Sequence, residues 1–367
     1  MTQPTMTADL DSPESATDLE RSRRSHCEQL LATLAPFHRV VLVSHVNPDP
    51  DSLASMLGIQ ALLESAQPSK PIILTVDGMI ARSENQAMVD LIPISLVPVE
   101  TVAVTPETAV VMVDTQPYTG RRYSEAAMPQ VVIDHHDTGG LLAGVLYCDI
   151  RASVGATSTI VTNYLIEKSV AVTPKLATAL LYGVESETTG YPREATPLDD
   201  SALIWLFPRA DKDLLAQIRN PKLPQSHFAT FQTALANAFI YDKLVVTWCG
   251  TVTQPDIIAE IADFFIRFDQ VDWSLAAGVF EGQMKLSLRA DWLGGRAGEI
   301  LYDVVDGLGS AGGHDKRAGG AIILAKHHPE TPEALLRSIR RRLLDHLDID
   351  EQQGRRLTNG CPVIPAP

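Results

Sequence analysis

Apolar runs that stop abruptly on acids or histidines constrain this chain most. "RVVLVSH" (39–45) ends on His45, with Asp49 and Asp51 close behind; "TAVVMVDT" (108–115) ends on Asp114; "PQVVIDHHD" (129–137) ends on Asp134, His135 and His136. A fourth run, "KPIILTVDG" (70–78), ends on Asp77-Gly78, an ordinary turn pair. These runs are rich in Val and Ile and lack the alternation of a half-exposed strand. Each therefore reads as a strand covered on both faces. Helical patterns separate them: Ser22 to Leu34, "DSLASMLGIQALLESA" (51–66) with Asp51 or Ser52 near the N-cap, about Ala156 to Lys168, and about Pro174 to Val184. Such interleaving implies an α/β fold on a doubly wound, mostly parallel sheet.

The pattern changes near Trp205. Acids, bases and prolines punctuate "FPRADKDLLAQIRNPKLPQ" (207–225), so residues 206–225 read as a linker between a first domain over 21–205 and a second over 226–350. The second is a smaller C-terminal α/β domain, with strands at "KLVVTWCGTV", "WSLAAGVFEG", "QMKLSLRA" and "AGGAIIL" and helices at "PDIIAEIADFFIRF" and "GRAGEILYDVV". Residues 1–20, rich in Thr, Ser, Pro and acids, read as a disordered N-terminal segment, and 351–367 as a tail.

The formal net charge of −15 argues against a binder of long duplex DNA, which presents a basic face. It leaves room for a small anionic substrate, because bound metal ions reverse the local field. Cys27, Cys148, Cys249 and Cys361 form no C-x-x-C pair and read as reduced thiols of a cytoplasmic protein. The acidic N-terminus lacks the apolar core of a signal peptide, and no stretch is long and apolar enough for a bilayer, so no membrane partner is expected.

Strands of an open parallel sheet end along one edge, where ligands bind. His45, Asp49, Asp51, Asp114, Asp134, His135 and His136 should therefore converge. Clustered carboxylates repel and raise one another's pKa unless cations neutralise them. Mixed imidazole and carboxylate ligands suit Mn²⁺, Fe²⁺, Co²⁺ or Zn²⁺, with Mn²⁺ favoured by the carboxylate majority. Five or six groups suffice for two divalent ions sharing one carboxylate. Taken singly, Asp51 is an N-cap and Asp114 a turn residue; their coincidence at three strand ends makes the metal site the better reading.

"SHVNPDPDS", "VMVDT" and "VIDHHD" resemble the first three motifs of the DHH phosphoesterase superfamily, and the likeness runs from about residue 35 to 325. The resemblance implies that His45 and Asp49 bind one ion, Asp51 and His135 the other, and that Asp114 bridges. It places His136 against the substrate phosphate and makes Asp134 the group that orients the histidines. In "YGVESETTGY", Glu187 stands where the superfamily usually has a ligating Asp; a carboxylate ligand is expected there, against the plainer reading of a solvated helix-end acid. "SLRADW" and "GSAGGHDKRAGGAI" resemble the DHH-associated C-terminal domain of the nanoRNase, phosphoadenosine-phosphate phosphatase and cyclic-dinucleotide branch, one glycine short of its Gly-Gly-Gly-His. Arg289, Gly312, Gly313 and His314 are then the substrate-binding candidates, while Lys316 and Arg317 read as solvated.

The expected activity is metal-dependent phosphoester hydrolysis, acting on short oligonucleotides, 3′-phosphoadenosine 5′-phosphate or cyclic dinucleotides. Two ions about 3.5–4 Å apart would share an attacking hydroxide in a cleft between the domains. The alternatives are a manganese-dependent inorganic pyrophosphatase and a non-catalytic nucleotide-binding module. A homodimer is compatible with the resemblance.

Overall fold

The computed structural model describes residues 25–80, 82–117, 128–137, 142–188, 195–292, 294–324 and 331–358. The expected disordered segment at 1–20 lies outside them, as does Cys361. The chain forms two compact units, residues 1–80 with 84–220, and 81–83 with 221–367.

The first unit carries a six-stranded sheet, every pair parallel: β1 (Arg39–Val43), β2 (Ile72–Val76), β3 (Leu96–Pro98), β4 (Thr108–Val113), β5 (Val131–Asp134) and β6 (Tyr147–Ile150). Their order is β3-β2-β1-β4-β5-β6. The winding reverses between β1 and β4, which opens a crevice at their carboxyl ends. Apolar cores lie on both faces. Val40, Leu42, Val111, Val113 and Ile133 face one; Val41, Val43, Val110, Met112 and Val132 face the other. This two-sided burial is why the runs show no alternation. The short outer strands β3 and β6 carry no such run and escape a sequence reading.

The helices are α1 (His26–Leu34), α2 (Pro50–Ala66), α3 (Ser83–Leu91), α4 (Thr157–Glu167), α5 (Pro174–Thr188), α6 (Pro197–Leu206) and α7 (Lys212–Arg219). Asp49, rather than Asp51 or Ser52, caps α2: it accepts from the Ser52 N–H, Ser52 returns a bond to the Asp49 N–H, and Pro50 takes the first helical position. Helix α2 packs on α4 and α5 at close range. A Cβ on Gly58 would sit 2.4 Å from Val161 Cγ1.

The linker expected over 206–225 is largely folded. Helix α7, capped by Asp211, sinks Leu214, Leu215 and Ile218 into the first core, so the first unit continues to residue 220. Its charged residues lie on the outer face of an amphipathic helix and imitate a connector.

The second unit holds a seven-stranded sheet in the order β11-β12-β10-β9-β8-β7-β13. The strands are β7 (Phe239–Tyr241), β8 (Leu244–Thr251), β9 (Trp273–Phe280), β10 (Gln283–Ala290), β11 (Ser310–Gly313), β12 (Arg317–Ile323) and β13 (Arg355–Arg356). Only β8 and β9 pair in parallel. Helices α8 (Gln225–Ala236), α9 (Asp256–Phe265), α10 (Ala297–Val305) and α11 (Pro332–His346) cover it. The expected tail does not start at 351: β13 pairs with β7, and the Leu357 N–H donates to Ala238 O at 2.9 Å.

Candidate metal centre

The loop after β1 is anchored before any ligand is considered. Asn47 takes a left-handed φ of 59°, its N–H donates to Asp77 O at 2.8 Å, and its side chain accepts from the Met79 N–H at 2.6 Å. Asp77 therefore acts through its backbone, at a turn that Gly78 completes with φ 74°. His45 is buried, and its Nδ1 faces Val46 O at 3.0 Å. Nε2 then lies 3.4 Å from Asp49 Oδ2 and 3.5 Å from Asp114 Oδ2.

Asp114 sits just past β4 with a left-handed φ of 59°, unusual for a residue other than glycine. Its two oxygens face different partners. Oδ2 looks to His45, whereas Oδ1 lies 3.4 Å from His135 Nε2 and accepts from Thr157 Oγ1 at 3.0 Å. Among the described residues, two groups of three bring ligand atoms within 4.8 Å of one another: His45, Asp49 and Asp114, and Asp114, His135 and His136. Asp114 is common to both.

Asp51 is wholly buried at the N-terminus of α4, where its carboxylate accepts the N–H groups of Thr157 at 2.8 Å and Ser158 at 2.7 Å. Helix α4 has no side-chain cap of its own, so Asp51 supplies one from another element. Its Oδ2 lies 3.8 Å from His135 Nε2, beyond the two tighter groups. Glu187, half-buried in the last turn of α5, is in neither group, yet its charge is felt at Asp51.

Asp134 holds the His136 ring and the His135 backbone. Its Oδ1 accepts from His136 Nδ1 and from the His135 N–H, each at 2.8 Å. The His135 ring is aligned instead by Val154 O, 3.3 Å from Nδ1. Gln116, which a sequence reading passes over, donates to Asp134 Oδ2 at 2.7 Å and to His136 O at 3.2 Å. Thr157 and Ser158 were missed as well. The hydroxyl pair at the head of α4 was the available signal, since Ser and Thr gather at helix starts.

The electrostatics suit cations. Burial pushes the Asp51 carboxyl well above its ordinary range, and the charges of Asp114, Glu187 and Asp49 push it further. Burial alone would lower His45, but Asp49 and Asp114 outweigh it and raise the imidazole to about 11. Asp49, half-buried, is held far below the usual carboxylate range by His45 and Ser52, which outweigh the desolvation that would raise it. This concentration of oxygen and imidazole donors fits divalent ions, whose charge would relieve the repulsion felt at Asp51.

The other candidates lie in the second unit. Arg289 is buried, with Nε on Asp263 and Nη1 donating to Ser287 Oγ at 2.7 Å, so part of the guanidinium already has carboxylate and hydroxyl partners. Gly312 and Gly313 are not in a turn: both belong to β11 and pair with Gly319 and Ala318 of β12. His314 is exposed; its N–H donates to Arg317 O and its carbonyl accepts the Gly298 N–H at the head of α10. Lys316 and Arg317 are half-buried rather than solvated.

Residues 39–184 match the model of the DHH family, N-terminal domain. These residues form a DHH family domain. Among curated proteins, an uncharacterized protein of Methanocaldococcus jannaschii is 29% identical over 321 residues, covering 86% of this chain and 65% of that protein. A probable bifunctional oligoribonuclease and PAP phosphatase of Streptococcus mutans is 23% identical over 222 residues, covering 59% of this chain and 66% of that protein. The chain thus spans about two thirds of the length of these curated relatives. In fold it is similar to the crystal structure of an exopolyphosphatase-related protein from Bacteroides fragilis, with a TM-score of 0.69 at 16% identity, over 88% of this chain and 96% of that one. Among the described residues no helix is long and apolar enough to cross a membrane.

Proposed function

We propose that this DHH protein is a metal-dependent hydrolase that cleaves phosphodiester or phosphomonoester bonds of short oligonucleotides, 3′-phosphoadenosine 5′-phosphate or cyclic dinucleotides. The observation that carries the reading is Asp114, whose two carboxylate oxygens face His45 and His135 separately. One carboxylate set between two imidazoles would let Asp114 serve two ions, each beside its own histidine. Such ions, Mn²⁺ by the donor set, supply an activated water and offset the charge of the phosphate. The name of the Streptococcus mutans relative supports the substrate class.

The protein's own groups divide the work. His45 and Asp49 would hold one ion, His135 and Asp51 the other, with Glu187 adding a carboxylate beside Asp51. His136, with Nδ1 tied to Asp134, offers Nε2 to a phosphate oxygen or a leaving oxygen. In the second unit Arg289, Gly312, Gly313 and His314 bind the substrate.

A panel with Mn²⁺ tests the reading: di- to pentaribonucleotides, 3′-phosphoadenosine 5′-phosphate, cyclic di-AMP and pyrophosphate. Cleavage of at least one nucleotide, lost on chelation, supports it. Cleavage of pyrophosphate alone would make the protein a pyrophosphatase. Tight nucleotide binding without turnover would make it a binding module.

A further inference from the structure

Asp199 is wholly buried, on α6, and has no place among the metal ligands. Part of its bonding is local: it accepts the Thr196 N–H at 2.9 Å and hydroxyl at 2.6 Å, which closes a capping box on α6. The rest reaches a different segment. Asp199 Oδ2 accepts the Gly155 N–H at 2.9 Å, and Oδ1 accepts the Thr159 hydroxyl at 2.5 Å. Gly155 is seated so closely that a Cβ there would lie 2.8 Å from Asp199 Oδ2.

Between those two anchors, and in Val154 just before the first, lie the groups that arrange the metal ligands. Val154 O aligns His135, the Thr157 and Ser158 N–H groups hold Asp51, and the Thr157 hydroxyl holds Asp114. A helix cap needs none of these bonds. Accepting from both sides fixes the chain two residues before Thr157 and one residue after Ser158. We infer that Asp199 is a positioning residue for the second ion, acting through residues 154–159 on Asp51, Asp114 and His135. The inference rests on the metal-dependent reading above.

The experiment measures Mn²⁺ binding to the full chain by calorimetry and by the electron spin resonance of bound Mn²⁺. It compares the parent, Asp199→Asn, Thr159→Val and Thr196→Ala. Asp199→Asn keeps the shape but turns an N–H₂ toward its donors. It should weaken one of two ions by about 10–100-fold, the usual effect of losing a group that orients metal ligands. Turnover at low Mn²⁺ should fall and recover at high Mn²⁺. Thr159→Val, nearly isosteric, should move affinity in the same direction. Thr196→Ala loosens the cap and should lower the melting temperature with Mn²⁺ affinity kept within about twofold, because it spares the arms on Gly155 and Thr159. The inference is overturned if folded Asp199→Asn binds both ions like the parent, or if Thr196→Ala reproduces the whole loss. Should Asp199→Asn fail to fold, parental affinity in Thr159→Val overturns it. A parent that binds no Mn²⁺ would instead overturn the metal-dependent reading itself.

Discussion

His136 Nδ1 donates to Asp134 Oδ1 at 2.8 Å, while the other oxygen of Asp134 accepts the Gln116 amide at 2.7 Å. The carboxylate is thereby held with its acceptor face on the imidazole, and its pKa is lowered: burial would raise it, but His136 and Gln116 outweigh burial. Asp134→Asn presents an amide in place of that acceptor and releases the tautomer of His136. We expect turnover to fall by about 10²–10⁴, the range of a general acid–base contribution, with both ions still bound. Loss of metal in this variant would show that Asp134 serves the ions and not His136. Gln116→Ala should act in the same direction and more weakly.

Metal binding should expel protons. Without an ion, His45 is raised to about 11 and is therefore protonated at pH 7, whereas a ligating imidazole must be neutral. Mn²⁺ uptake should release about one proton from His45. Affinity should climb as pH rises toward 9. Calorimetry in two buffers of different ionisation enthalpy reads this directly; a heat independent of buffer would contradict it.

Asp199 should stabilise the fold near neutral pH and lose that contribution in acid. Its pKa is lowered from the ordinary 3.8, since burial is outweighed by bonds from Thr159, Thr196 and Gly155. A depressed carboxyl stabilises the fold above its unfolded pKa, and that contribution disappears as pH falls through the folded value. Asp199→Asn should therefore lose stability at pH 6 and differ less from the parent below pH 3. Urea denaturation at the two pH values gives the comparison; an equal difference at both would exclude this origin.

Two glycines of the first unit should respond differently to Ala. At Gly58 the added methyl meets Val161 Cγ1 at 2.4 Å, far from the ligands. Overpacking there should cost about 1–3 kcal/mol, partly offset by the better helix propensity of Ala, and leave Mn²⁺ affinity unchanged. At Gly183 the methyl meets Ser158 Oγ at 2.4 Å and Pro50 O at 3.2 Å, the segments that carry Asp51 and its donors. Gly183→Ala should lose metal affinity as well as stability, and chemical denaturation run beside Mn²⁺ titration separates the two cases.

Glu187 carries the last expectation. If its carboxylate serves the second ion, Glu187→Asp leaves a gap of about 1.5 Å, large against the ±0.2 Å tolerance of metal–ligand distances. We expect weaker Mn²⁺ binding in Glu187→Asp, and weaker still in Glu187→Ala. Parental affinity in Glu187→Ala would remove the residue from the site.

Particular residues show where sequence reading succeeds and stops. Val110, Val111 and Val131 announce buried strands because both faces of the sheet are covered, and no later packing can change that pattern. His45, Asp49, Asp114, His135 and His136 were legible for a related reason: each follows a strand, and parallel strands deliver their ends to one edge. The N-cap of α2 was ambiguous because Asp49, Asp51 and Ser52 are all good caps; Pro50 at the first helical position decides for Asp49. Helix α7 imitated a linker because its charged face is as polar as a loop.

What the tertiary structure alone decided is which atom serves which partner. Asp51 meets the N–H groups of Thr157 and Ser158 across more than a hundred residues, and Asp199 reaches Gly155 across 44. Nothing local marks either pairing, since any acid can accept from any N–H and burial selects the partner. The two oxygens of Asp114 are equivalent in sequence and become distinct only where the ends of β1 and β5 flank the end of β4. The glycines of β11 and the buried Arg289 belong to the same class. Their conformations follow from strand neighbours and from Asp263, which the residues beside them do not specify. Periodicity and strand endings are written along the chain, whereas hydrogen-bond partners and desolvation exist only once distant segments are packed together.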